Sequence, residues 1–154
     1  MHNMGVPFQF LSYKIDRIEF KIDNQPRNVL ADMSPSSCGI SYTISARNVF
    51  RVHRSFDTLY FGGMDLNFTV QDNSKLPVAF GSLGIEGAFS AFSLSAEQEA
   101  ALVHTSMPQL LYPYVRSTVT TVLGQAGITS VILPIINVMD AFAHSQIVIT
   151  DGNL

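Results

Sequence analysis

The residue types that carry catalysis or hold metals are few in this sequence and poorly grouped. The histidines His2, His53, His104 and His144 include no pair at the i, i+4 spacing that sets two ligands on one helix face, so no metal site is expected. Cys38 is the single cysteine, which excludes an internal disulfide and a cysteine-only metal site and suits a reducing compartment. With no motif around it, Cys38 reads as a passive loop residue. A nucleophilic serine on a strand-to-helix elbow stands in Gly-x-Ser-x-Gly, and Gly81-Ser82-Leu83-Gly84 lacks that flanking pattern, so it reads as a small-residue strand end. Gly84-Ile85-Glu86-Gly87 carries neither the Gly-x-Gly-x-x-Gly fingerprint nor a Walker lysine, and Glu86 reads as a turn or interface carboxylate rather than a general base. No catalytic residue, metal ligand or cofactor is therefore assigned, and an enzyme is not expected.

The composition points elsewhere. A chain of 154 residues suits one domain over 1–154, since single cores usually run to about 100 to 200 residues. Its hydrophobic share is 47% and its charged share only 14%, against roughly 25% charged in ordinary soluble domains. Too little charge is present to cover the surface of so small a body, which implies an oligomer interface, a groove for apolar ligands, or both. A net charge of −3 without any Lys/Arg cluster argues against nucleic acid and against an anionic membrane surface. The opening residues lack the basic stretch and apolar run of a signal peptide. The longest apolar run, Val131 to Ile136, is interrupted by Pro134 and falls far short of the ~20 residues that span a bilayer. A soluble cytoplasmic protein is the expectation.

The elements that position these residues read as strands first and helices second. Apolar residues alternate at Tyr13 and Ile15, then at Ile18, Phe20 and Ile22, and the change of parity near Asp16-Arg17 predicts a strand with a bulge. Asn24-Gln25-Pro26 closes it, and Asp32 to Gly39 reads as a connecting loop. A long second alternation runs through Ile40, Tyr42, Ile44, Ala46, Phe50 and Val52, interrupted at Asn48. A third runs from Tyr60 to Val70, a turn follows at Asp72-Asn73-Ser74-Lys75, and a fourth strand is expected from Leu76 to Ile85. Four consecutive strands predict an antiparallel sheet. After Ser95, a candidate N-cap, the period lengthens to that of a helix, broken near Pro108 and Pro113, with Gly124 and Gly127 as stops. Its apolar residues occupy two faces, one through Met107, Leu110 and Tyr114, the other through Leu111, Val115, Val119 and Val122. With one face on the sheet, the second, Leu111 to Val122, is left for another chain, which predicts an oligomer.

Three segments, in order, resemble the SecB family of protein-export chaperones. Phe80 to Gly87, ending in Gly-Ile-Glu-Gly, is similar to the end of that family's fourth strand. Pro108-Gln109-Leu110-Leu111-Tyr112-Pro113-Tyr114-Val115-Arg116 is similar to its Pro-x-x-Leu-Phe-Pro-Tyr-Ala-Arg helix segment. Leu133 to Phe142 is similar to its Leu-Ala-Pro-Val-Asn-Phe-Asp-Ala-Leu-Phe stretch, allowing a shift of one residue.

The resemblance implies an α+β fold: a four-stranded antiparallel sheet, then a kinked long helix and a short C-terminal helix, assembled as a tetramer that is a dimer of dimers. It implies a holding chaperone that needs no ATP, with unfolded polypeptide clients lying along Ile40, Tyr42 and Ile44 of the second strand and Leu133, Ile135, Val138 and Phe142 of the C-terminal segment. Export members of the family pass clients to the SecA motor through a partly acidic sheet surface. Here Arg17 and Lys21, and Gln71 or Asn73, stand where acids would be expected, and the polar tail of many members is missing after Phe142, so SecA docking is not expected. A general export chaperone, a dedicated chaperone of a toxin–antitoxin system and a structural oligomer without clients all remain open on the sequence.

Overall fold

The computed structural model describes residues 7–23, 39–128, 131–142 and 144–154. His2, Cys38 and the connection expected over 24–38 lie outside the described residues. The order of elements is β1 (Phe8–Ile22), β2 (Gly39–Ala46), β3 (Val49–His53), β4 (Thr58–Gln71), β5 (Pro77–Ala91), α1 (Ala96–Ala101), a π-helical turn (Leu102–Ser106), α2 (Met107–Gln125), α3 (Val138–Phe142) and β6 (Ile149–Asp151). The strands form one sheet in the order β1-β5-β4-β3-β6, with β2 also paired to β4.

The expected four antiparallel strands are modified in two places. The long second strand is divided at Arg47 and Asn48, where its alternation breaks, and both pieces, β2 and β3, pair antiparallel with β4. Residues Ile149–Asp151 then lie parallel to β3, making the sheet mixed. So short a strand has too little alternation to announce itself. In β1, Ile15 stands opposite Ile85 while Arg17 stands opposite Gly84, leaving Asp16 as the extra residue of a bulge. That bulge keeps Ile15 and Ile18 on one face of the sheet despite their odd spacing.

The helices lie against that same face. Ser95 caps α1: its hydroxyl accepts from the Gln98 N–H at 3.1 Å, and the Gln98 amide oxygen accepts from the Ser95 N–H at 2.9 Å. The break expected near Pro108 is the π-helical turn immediately before it, while Pro108 itself sits in the first turn of α2 and Pro113 lies inside the helix. Past the end of α2, Gly127 adopts φ +86°, the left-handed conformation that makes glycine the natural stop. Two other glycines let the layers meet closely. A Cβ at Gly62 would lie 2.8 Å from the Met107 sulfur, and one at Gly87 2.9 Å from a Leu111 methyl.

The face of α2 assigned to a second chain is instead the one this chain buries. Leu111, Val115 and Val119 are fully enclosed with Met64, Leu66, Leu83, Ile85 and Phe89 of the sheet, and Val122 is half-buried. The reason is the four-residue step from Leu111 through Val115 and Val119 to Leu123, which draws one continuous stripe down the helix. Tyr114, expected on the sheet side, leans toward the β1 flank and stacks on Tyr13 at 4.0 Å between ring centres. Two strand-end readings also change. Gly81 to Gly87 lie within β5, which continues to Ala91, and Glu86 is an exposed mid-strand residue opposite Lys14 rather than a turn residue.

Because the stripe is core, Leu111→Ala should lower stability by about 2–5 kcal/mol, the usual range for a leucine removed from a packed interior. Urea unfolding measures this. Val119→Asp should abolish the cooperative transition, and a folded, dissociated Val119→Asp protein would return this stripe to the subunit interface.

Candidate functional site

Before α3, residues 131–137 form an irregular strap lying against α2. Alternation divides its side chains. Val131 and Leu133 are buried and Ile132 between them is 53% exposed, but the alternation stops at Pro134, since Ile135 is 82% exposed where it would otherwise turn inward. Two residues of α2 hold the strap down: the Tyr112 hydroxyl donates to the Pro134 carbonyl at 2.8 Å, and the Arg116 guanidinium donates to the Leu133 carbonyl at 2.7 Å. Each satisfies a backbone oxygen that an irregular, partly covered segment would otherwise leave without a partner. Burial, and after it the neighbouring Tyr42, hold the Tyr112 phenol above its ordinary pKa. Sequence reasoning did not assign Tyr112 or Arg116 a role, although both belong to the Pro108 to Arg116 segment it singled out.

The residues expected to hold clients separate into two groups. Leu133, Val138 and Phe142 are buried in the core, so they fill the space beside β2 from within and are not open to a ligand. Leu133 turns inward by strap alternation, and Val138 and Phe142 occupy one side of α3, four residues apart. Ile40, Tyr42 and Ile44 are half-buried on the inner face of β2, and Ile135 is exposed. Ile132 joins them as an exposed apolar residue not foreseen.

The outer face of the sheet carries a different arrangement. Arg47 donates to both carboxylate oxygens of Asp16, at 2.5 and 2.8 Å, and to both of Asp65, at 3.0 and 2.9 Å, while Arg17 reaches Asp65 at 3.1 Å. The bulge at Asp16 turns its carboxylate into this cluster, and Gly84 leaves room for it, since a Cβ there would collide with the Arg47 guanidinium. The Arg47 guanidinium holds the Asp16 carboxyl below the usual range. Arg17 is thus paired within the chain, Lys21 stands opposite Phe80 in β5, and Gln71 donates to Ser41 at 2.7 Å. Among the described residues, no group of three His, Cys, Asp or Glu side chains is placed to hold a metal ion, and no helix is long and apolar enough to cross a membrane.

A mixed sheet with one long helix laid across it is a fold that matches a SecB-like chaperone. The structure superimposes on the Mycobacterium tuberculosis SecB-like chaperone, solved in complex with a ChAD peptide from the HigA1 antitoxin, with a TM-score of 0.59 over 84% of this chain and 91% of that one; at 17% identity this is a likeness of fold. The family model for preprotein translocase subunit SecB matches residues 40–147, so the chain belongs to the SecB family. The protein-export protein SecB of Saccharophagus degradans is 28% identical over 87 residues, 56% of this chain, and the match spans about half (52%) of that relative's length.

The charge pairs make a prediction about acid. Arg54 and Ser90 hold the Asp57 carboxyl at about 2, and Arg47 lowers that of Asp16, both from an ordinary 3.8. A carboxylate whose folded pKa is depressed adds stability above its unfolded pKa, and that stability is lost as pH falls toward the folded value. The urea midpoint should therefore hold steady above about pH 5 and decline from about pH 4 toward pH 2. Asp57→Asn should flatten part of that decline, and an unchanged slope would show that the pair does not persist in solution.

Proposed function

We propose that this protein is an ATP-independent holding chaperone, binding extended non-native polypeptide along Ile40, Tyr42, Ile44, Ile132 and Ile135. The observation that carries this reading is the outward placement of Ile132 and Ile135 on a strap that Tyr112 and Arg116 pin to the helix. Full burial of one such side chain gains about 1.5–3 kcal/mol, so a few contacts hold an apolar segment without close shape matching. Membership of the SecB family and the low charged fraction of 14% support the same reading.

Assembly into a homo-tetramer, a dimer of dimers, belongs to this proposal, with its contacts moved from the buried stripe of α2 to the β1 flank. There Tyr13, Ile18 and Ile22 point to the helix side of the sheet but remain exposed, because α2 lies over β4 and β5. Service to SecA is not part of it: Asp16 and Asp65 are engaged by Arg47 and Arg17, leaving no acidic patch at that corner for a basic partner. A second reading, a dedicated chaperone for one antitoxin, draws support from the structural relative, whose bound peptide comes from an antitoxin.

The test is suppression of aggregation of a chemically unfolded client without nucleotide. Ile132→Ser with Ile135→Ser should weaken client binding roughly tenfold or more, the loss expected for about 1.4 kcal/mol, and leave the melting temperature unchanged. Equal affinity in the double variant would defeat the strap assignment, and no suppression by the wild type would favour a structural oligomer instead. Ile18→Asp should reduce the sedimentation coefficient if the β1 flank is the interface.

A further inference from the structure

The free edge of β3 is covered by the chain itself, and the way it is covered resembles a recognition site more than a simple closing contact. The Val49 N–H donates to the Val148 carbonyl at 2.9 Å and the Gly152 N–H to the Arg51 carbonyl at 3.0 Å, bracketing the parallel ladder of Val49–Arg51 with Ile149–Asp151. Where the strand breaks at Asn48, its side-chain oxygen accepts from the Val148 N–H at 3.0 Å and so extends the ladder by one bond.

Each alternate residue of the covering segment meets a matching feature. Ile147 is half-buried against the core and, with Ala46, Val49, Val103, Met107 and Leu111, lines a small cavity of about 10 Å³. Ile149 packs on the same core. Asp151 is gripped by Arg51 through two bonds of 2.5 and 2.9 Å, with the His53 ring 3.4 Å away. Gly152 lies against the Phe50 ring, with which a Cβ would collide, so no other residue fits without displacing it. Val148 is exposed and so is Thr150, and neither is read.

The receptor side is held in place independently of this segment. The third Arg51 nitrogen donates to Glu99 of α1 at 2.7 Å, and the Tyr60 hydroxyl donates to the same carboxylate oxygen at 2.7 Å. Arg51 is therefore aimed at the edge by its neighbours in the sheet and helix, ready for a carboxylate.

We infer that the β3 edge is a sequence-selective acceptor for an extended polypeptide strand of the pattern apolar-x-apolar-x-Asp-Gly, and that residues 147–152 are its resident occupant. A tethered occupant enjoys a high effective concentration, so an external strand enters only when the resident one lets go. A parallel ladder of three residues is weak enough to open without unfolding the sheet. This site is separate from the strap of Ile132 and Ile135, and its test uses no non-native client, so either reading can fail alone.

The probe is a fluorescent synthetic peptide of residues 145–154, titrated into the full chain. Wild type should bind it weakly. The double variant Ile147→Asp with Asp151→Lys, which disables the occupant and leaves the acceptor intact, should bind it roughly tenfold or more tightly, as removal of an intramolecular competitor requires. Arg51→Glu added to that variant should abolish binding, and a peptide with arginine in place of its aspartate should recover part of it. Equal binding to wild type and variant, or none to a variant that keeps the wild-type circular dichroism and melting temperature, would overturn the inference. Native-state hydrogen exchange on the wild type is a second check. The Val148 and Gly152 amides should exchange by local opening, well ahead of those of β4 and β5, and protection equal to the core would also overturn it.

Discussion

Helix α2 can lie on β4 and β5 only because Gly62 and Gly87 offer no side chain beneath Met107 and Leu111. That close approach drives the stripe of Leu111, Val115 and Val119 into the sheet, where dense packing makes each methyl count. It also fixes the height at which Tyr112 and Arg116 stand, and hence the path of the strap they hold. A bulkier residue at either glycine would lift the helix and loosen the strap with it. The same placement leaves β1 only partly covered on its helix side, where Tyr114 of α2 reaches Tyr13 and Phe10 while Ile18 and Ile22 stay exposed.

The sheet's two faces are stabilised by different physics. The helix side is a dry core of aliphatic and aromatic side chains. The outer side relies on Arg47, which joins the β1 bulge to β4 through two carboxylates and is itself placed where β2 and β3 separate. Such a part-exposed cluster adds modestly to stability and is screened by salt. Its larger effect is on register, because Asp16 meets Arg47 only if the bulge falls at its observed position.

Much of this was legible in the sequence wherever the signal was local. The parity change at Asp16, the break at Asn48, the Ser95 cap and the glycine stop each depend on residues within a few positions of one another, and the structure shows each of them. What was not legible depended on distance. The Arg51 to Asp151 pair joins residues 100 apart, and the Arg116 to Leu133 bond crosses an irregular segment with no period. The choice between the two apolar faces of α2 failed for a related reason: helical periodicity gives the faces but not the layer each one meets. Leu133, Val138 and Phe142 were placed in a groove because their apolar character suits a ligand as well as a core, and burial alone separates the two.

The π-helical turn joins α1 to α2 without a break in the helical path. The Met107 N–H reaches back to the Leu102 carbonyl, one residue farther than in an α-helix, so the segment holds one residue more than a regular turn. With that extra residue, Glu99 meets Tyr60 and Arg51 while Leu111 still faces the sheet. A π turn winds less per residue than an α-helix, so the wider turn absorbs the extra residue and α1 and α2 keep nearly the phase of one regular helix a residue shorter. In this stretch the chain can therefore lose one residue to regular winding while Glu99 still faces the strand end and Leu111 still faces the sheet, so the turn is a point where the length of the helix is adjustable.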